Sequence, residues 1–157
     1  MMCIGLEEGV DNMHIFLDID GVLNTEAEWK MSYHLNFNCI SVLNSFIELC
    51  KEDVYVVLSS TWRTGFDVKN GHTPQIQNLI NRINPRVKGF DKTPQSDKGR
   101  QAEIEYYIRR NGVGKYIVLD DDVSLFENPN SLNLYVTNAK TGLTDKDLKI
   151  LQRRFLK

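Results

Sequence analysis

Apolar and polar positions along the chain follow two periods that alternate from the N-terminal third to the end. Met13 to Ile19 is a short apolar run and predicts a buried strand. From about Asn38 to Lys51 the spacing changes: Ile40, Leu43, Ile47 and Cys50, with Phe46 beside them, recur at helical intervals. Val54 to Leu58 is a second apolar strand. Thr73-Pro74 reads as an N-cap followed by proline at the first helical position, opening a helix through about Ile83. Arg86 to Phe90 predicts a short strand. A further helix runs from about Lys98 to Arg110, with Ile104, Tyr107 and Ile108 on one side and Asn111-Gly112 ending it. Lys115 to Leu119 and Leu132 to Val136 are the remaining strands, and Thr144-x-x-Asp147 has the form of a capping box for a last helix reaching Phe155.

Strands alternating with helices predict a three-layer α/β domain whose sheet has about five, mostly parallel, strands. Right-handed crossovers then bring the C-terminal ends of those strands to one rim, where open α/β sheets place their sites. Three of these ends carry polar clusters: Asp18/Asp20, Ser59/Ser60/Thr61 and Asp120/Asp121/Asp122. No repeat or linker divides the chain, so residues 1–157 are expected to form one domain. Its core covers about 13–157, its N-terminal extension 1–12, and a short flap 21–37.

Composition narrows the class. With 157 residues, 41% hydrophobic and 25% charged, the chain has the proportions of a globular domain with a proper core. No apolar stretch approaches the ~20 residues of a membrane span. Residues 1–11 hold acids and glycines without the basic start of a signal peptide. The cysteines Cys3, Cys39 and Cys50 are odd in number and lack metal-ligand spacing, which suits a reducing, cytoplasmic setting. A net charge of −2 argues against a general polyanion binder. Charge is nevertheless uneven. Residues 1–28 contain no Lys or Arg, whereas Arg82, Arg86, Lys88, Lys92, Lys98 and Arg100 crowd 82–100, as a phosphate-attracting segment or a solvated face.

The candidate chemistry lies in Asp18-Ile19-Asp20-Gly21. Carboxylates at i and i+2 of a strand share a side unless the backbone turns between them. Acids at the end of a buried run are costly unless compensated, most simply by a divalent cation. A calcium loop would need acceptors where the chain has Val22 and Leu23.

The stretch resembles the DxDG nucleophile motif of the haloacid dehalogenase-like (HAD) phosphohydrolases, and three further segments resemble that family's motifs in order. Val56 to Arg63 resembles the second motif, with Ser59 as the phosphoryl-binding hydroxyl and Ser60 the close second. Trp62 fits core packing or a stacking surface, and Arg63 would offer a guanidinium to a substrate anion. Lys98 or Arg100 would be the third-motif cation, with the preference for Lys98. Tyr116 to Asp122 resembles the fourth motif, whose acids hold Mg²⁺; Asp120 and Asp121 are the candidates, with Asp122 facing solvent. The resemblance spans roughly 13–122, and the DIDGVLN, SSTWR and DDD combination looks most like the small HAD domains of nucleic-acid end repair, relatives of the phosphatase half of polynucleotide kinase.

The resemblance implies a Rossmann-like HAD core with a minimal cap. It implies a Mg²⁺-dependent phosphomonoester hydrolase with Asp18 as nucleophile and Asp20 as acid and base, Asp20 touching the metal through its carbonyl. Ser59 and Lys98 or Arg100 would stabilise the transferring group; Asp18, Asp20, Asp120 and Asp121 would form the metal site. A small cap suits a nucleic-acid end or nucleotide as substrate, with Trp29, Tyr33, His34 and Trp62 as stacking surfaces; His34 fits the flap or surface better than catalysis. The rivals are a small-molecule phosphatase, a catalytically inactive HAD-fold binding module and, with the poorest fit, a receiver-like phospho-acceptor.

Overall fold

The structure is a computed structural model and describes residues 11–31 and 34–156. Five strands, β1 (Asn12–Leu17), β2 (Asp53–Leu58), β3 (Val87–Lys92), β4 (Lys115–Asp120) and β5 (Leu134–Val136), pair in parallel in the order β3-β2-β1-β4-β5. Among the described residues four α-helices connect or follow them: α1 (Phe37–Leu49) after β1, α2 (Pro74–Arg82) after β2, α3 (Arg100–Asn111) after β3 and α4 (Asp145–Phe155) after β5. The three-layer arrangement expected from the alternation is the one found.

The packing follows the pleat. Met13, Ile15 and Leu17 of β1, with Val54, Val56 and Leu58 of β2 and Ile117 and Leu119 of β4, face the apolar sides of α1, α2 and α4. The intervening residues Phe16, Val57 and Val118 face the other way, against Ile104 and Tyr107 of α3. A strand buried on both faces reads as a continuous apolar run, which is why β1, β2 and β4 stood out. β5 is shorter than the predicted Leu132–Val136, and β3 extends beyond Phe90 to Lys92 with no buried residue.

The helix signals act as their chemistry dictates. Thr73 accepts from Ile76 N–H, with Pro74 at the first position. Thr144 and Asp147 form the reciprocal capping box of α4. Gly112 ends α3 in a left-handed conformation. Cys39 and Cys50 are buried and free, and burial pushes both thiols up to about 11; Cys3 lies outside the described residues. Among the described residues no helix is long and apolar enough to cross a membrane.

Candidate active site

The register of the sheet brings the site together. Leu17 pairs with Leu58 on one side and Leu119 on the other. The ladder continues one step past β1, with Asp18 N–H donating to Leu119 C=O at 3.0 Å and Ser59 N–H to Leu17 C=O at 3.1 Å. Ser59, Asp18 and Asp120 are therefore neighbours on three adjacent strands and share a pleat phase, on the face covered by α3. Carboxylate oxygens of Asp18, Asp120 and Asp121 all lie within 4.8 Å of one another.

α3 supplies the cation. Arg100 is its first residue, and its guanidinium donates to Asp120 Oδ2 at 2.7 Å and stands 3.3 Å from Asp18 Oδ1. One positive charge faces three carboxylates, two of them buried. Burial, then the neighbouring Asp120, holds the Asp18 carboxyl well above its ordinary range, Arg100 offsetting only part of this. Burial also raises Asp120, against the pull of Arg100. Arg100 itself is raised, because Asp120 and Asp18 outweigh the effect of its own burial. An all-oxygen donor set with excess negative charge fits a hard divalent cation, and Asp18, Asp120 and Asp121 are the side chains that would hold it.

The third-motif expectation is corrected here. Lys98 is exposed, outside the helix, whereas Arg100 reaches both carboxylates. A register difference of two residues at a helix start decides which base points inward.

Asp20 does not join the acid cluster through its side chain. β1 ends at Leu17, not at Ile19, and the amides of Val22 and Leu23 both donate to Ile19 C=O in the turn that follows. That turn breaks the i, i+2 alternation, and the Asp20 carboxylate instead accepts from Asn24 Nδ2 at 2.8 Å. Gly21 is required twice over: its φ is +85°, and a Cβ there would collide with the Asp121 carboxylate.

The two serines separate cleanly. Ser59 is fully buried and its Oγ has no hydrogen-bond partner among the described residues. A buried hydroxyl of this kind is costly unless a ligand atom satisfies it. Ser60 accepts from Trp62 N–H and caps the 3₁₀ turn Thr61–Gly65, so its oxygen is engaged. Trp62 is buried in the core.

Arg63 is a second correction. Its guanidinium turns inward, donating to Glu103 Oε1 at 2.9 Å, Thr93 Oγ1 at 2.8 Å and Ser59 C=O at 3.4 Å. With Glu103 Oε2 accepting from Ser96 N–H at 2.7 Å, the pair ties the ends of β2 and β3 to α3. Arg63 braces the elements that carry Ser59 and Arg100 and is not open to a substrate anion.

The flap is anchored at both ends. Glu28 accepts from Thr25 N–H and Asn36 Nδ2 and pairs with His34 at 3.0 Å. Trp29 is 45% exposed and Met31 54%. Tyr33 lies outside the described residues. Half of the basic segment is structural: Arg86 donates to the carbonyls of Ile47, Glu48 and Glu52, Lys92 to that of Phe66 and Arg82 to that of Leu35. Asp122 is exposed, as expected, and caps the turn Val123–Leu125.

Sequence reasoning missed Asn24, Glu103 and Thr137. Thr137 donates to Gly21 C=O at 2.7 Å and fastens the turn after Asp18 to the end of β5. Only Glu103, one helical turn after Arg100, carried a readable signal.

Comparison with known proteins gives one family. A family model described as the HAD domain in Swiss Army Knife RNA repair proteins matches residues 14–148. No curated protein and no solved structure matches the chain.

Proposed function

The chain belongs to that family of HAD domains, and from this premise we propose that it is a phosphomonoester hydrolase acting on phosphorylated nucleic-acid ends. The observation that carries the reading is the convergence of Asp18, Asp120 and Asp121 within 4.8 Å, beside the unpartnered hydroxyl of Ser59. A lone guanidinium leaves this cluster short of positive charge. A divalent cation would relieve the deficit, and a phosphoryl group would bring an oxygen to Ser59.

Mg²⁺ is the cation proposed, held by Asp18, Asp120 and Asp121 with the Asp20 carbonyl as the further ligand the family resemblance assigns. When bound it would neutralise charge on the phosphoryl oxygens. Asp18 Oδ attacks phosphorus, the bond to the leaving oxygen breaks with its electron pair on that oxygen, and Asp20 delivers the proton. Water then attacks the aspartyl-phosphate, Asp20 takes its proton, and Asp18 and phosphate are released. Ser59 and Arg100 stabilise charge on the transferring group.

The substrate class rests on the family description and on an open rim. Trp29, Met31, Val123, Leu125 and Val136 are exposed apolar side chains on segments at or after the C-terminal ends of strands. Such surfaces suit the bases next to a terminal phosphate. The test is Mg²⁺-dependent phosphate release from 3′- and 5′-phosphorylated oligonucleotides, a nucleotide panel and an aryl phosphate, with Asp18→Asn as control. Release from oligonucleotide ends that disappears in the control is the expected result. Turnover of mononucleotides or sugar phosphates alone would replace the substrate class, and none at all with Mg²⁺ bound would favour a binding module.

A further inference from the structure

Asn24 is 1% exposed and every hydrogen-bonding position of its amide is taken. Nδ2 donates to Asp20 Oδ1 at 2.8 Å and to His34 C=O at 2.9 Å. Oδ1 accepts from Gly21 N–H at 2.9 Å and from the Trp29 indole Nε1–H at 3.1 Å. Two of these partners, Gly21 and Asp20, belong to the nucleophile turn. The other two, Trp29 and His34, belong to the segment that follows it.

We propose that Asn24 is a positioning residue that couples the seating of the flap to the orientation of the Asp20 carboxylate. The inference rests on the reading of Asp20 as the acid and base of a phosphatase. A side-chain amide is planar, so its donors and acceptors move together: rotating Asn24 to follow a displaced Trp29 also withdraws the donor from Asp20. The flap end is the more exposed one. The Trp29 ring is nearly half exposed, while Gly21 is held by the buried Thr137 and by the crowding of Asp121. A substrate that packs on the Trp29 face presses the indole toward Asn24 and fixes Asp20 where the leaving oxygen needs its proton. One that leaves the flap loose meets an acid free to turn away. The carboxylate is thereby made dependent on a surface that touches the rest of the substrate, not the phosphate.

Leaving-group dependence separates this role from general loosening of the fold. The oxygen of 4-nitrophenyl phosphate departs with little need of a proton, whereas an alkyl oxygen, as in glycerol 2-phosphate, needs the acid. In Asn24→Leu, kcat for the alkyl phosphate is expected to fall about tenfold further than kcat for the nitrophenyl ester, as a small displacement of a catalytic group suffices for such a loss. Trp29→Phe keeps an aromatic ring at the exposed position but loses the indole N–H along with part of the ring, and is expected to give the same imbalance at roughly threefold, which serves if Asn24→Leu does not fold. Equal losses on both esters, or none, overturn the proposal.

A second readout needs no turnover. In ¹⁵N-labelled protein, Asp20→Ala is expected to shift the Trp29 indole N–H resonance and speed its exchange with water. An unmoved resonance overturns the coupling even in an active phosphatase. A resonance that responds in a protein releasing no phosphate from either ester or any oligonucleotide supports the coupling and overturns the phosphatase reading instead.

Discussion

Arg63 and Arg100 are both buried or nearly so, both paired to acids, and their networks meet on α3, where Arg100 and Glu103 stand one turn apart; their electrostatic situations are opposite. Arg63 meets a single carboxylate, Glu103, whose second oxygen accepts from Ser96 N–H, and Thr93 Oγ1 and Ser59 C=O accept from the same Nη1. Charge cancels, and Arg63 Nε is a fully buried atom of the pair without a partner among the described residues. Arg100 meets Asp18 and Asp120 with Asp121 beside them, so negative charge exceeds positive. A balanced buried pair holds elements together, whereas an unbalanced cluster stores a need for cation. The same residue type therefore marks a brace in one place and a site in the other.

The sharpest break of this comparison is Asp18→Asn. Loss of the proposed nucleophile is expected to reduce phosphate release by roughly 10³-fold or more. In the metal-free protein the same change is expected to be stabilising near neutral pH. The sign follows from the raised Asp18 carboxyl: its folded-state affinity for the proton exceeds the unfolded one, so the associated stability is full at acid pH, below the unfolded carboxylate range. It is lost as pH rises through the raised value. Denaturation midpoints in EDTA should thus fall between acid and neutral pH in the wild type and change less in Asp18→Asn. Mg²⁺ at about 100 times its Kd should restore about 2.7 kcal/mol to the wild type. A wild-type midpoint indifferent to both pH and Mg²⁺ would remove the imbalance on which the comparison stands.

The brace is tested from the other side. Arg63→Met leaves Glu103 buried without its cation and is expected to cost about 3–5 kcal/mol, while Arg63→Met with Glu103→Leu should recover most of that loss. Arg100→Met should behave differently, lowering kcat by about 10²-fold or more while the fold survives, since carboxylates already raised can take up protons. Chemical denaturation and steady-state kinetics on the same four proteins decide it; a double mutant no more stable than Arg63→Met would show that Arg63 is not a closed pair.

What was legible in the chain follows the same divide. Among the described residues periodicity and caps identified the five strands and four α-helices but not the 3₁₀ turns, because continuous apolar runs and Thr73-Pro74 or Thr144-x-x-Asp147 are local signals. The rim acids were legible because carboxylates at the end of a buried apolar strand are costly without a compensating cation. Partners distant in sequence were not. Whether Arg63 faces a substrate or Glu103 depends on a residue 40 positions away. The choice between Lys98 and Arg100 depends on where α3 begins, with Gly99 at φ +98° just before it. Asp20 left the side of Asp18 because β1 stops at Leu17, a boundary that no pattern of apolar residues marks when Ile19 is itself fully buried.

The smallest expected effect sharpens the comparison by adding a region where an acid is held by hydrogen bonds near the surface. Glu28 is an acid of the flap, and although its partial burial works the other way, the Thr25 N–H and Asn36 hold its carboxyl below the ordinary range. A depressed carboxyl contributes stability above the unfolded value that is lost as pH falls through the folded one, the reverse of Asp18. Glu28→Gln should therefore change global stability by less than about 1 kcal/mol, as partly exposed pairs do. Its effect should be confined to the flap: faster amide exchange at Thr25, Met31 and Asn36, with α3 and the Arg63 network unchanged. If exchange at Ser96 and Glu103 rose as well, the flap and the brace would share one cooperative unit, and the rim could not be divided into a rigid half that holds the phosphate and a yielding half that meets the rest of the substrate.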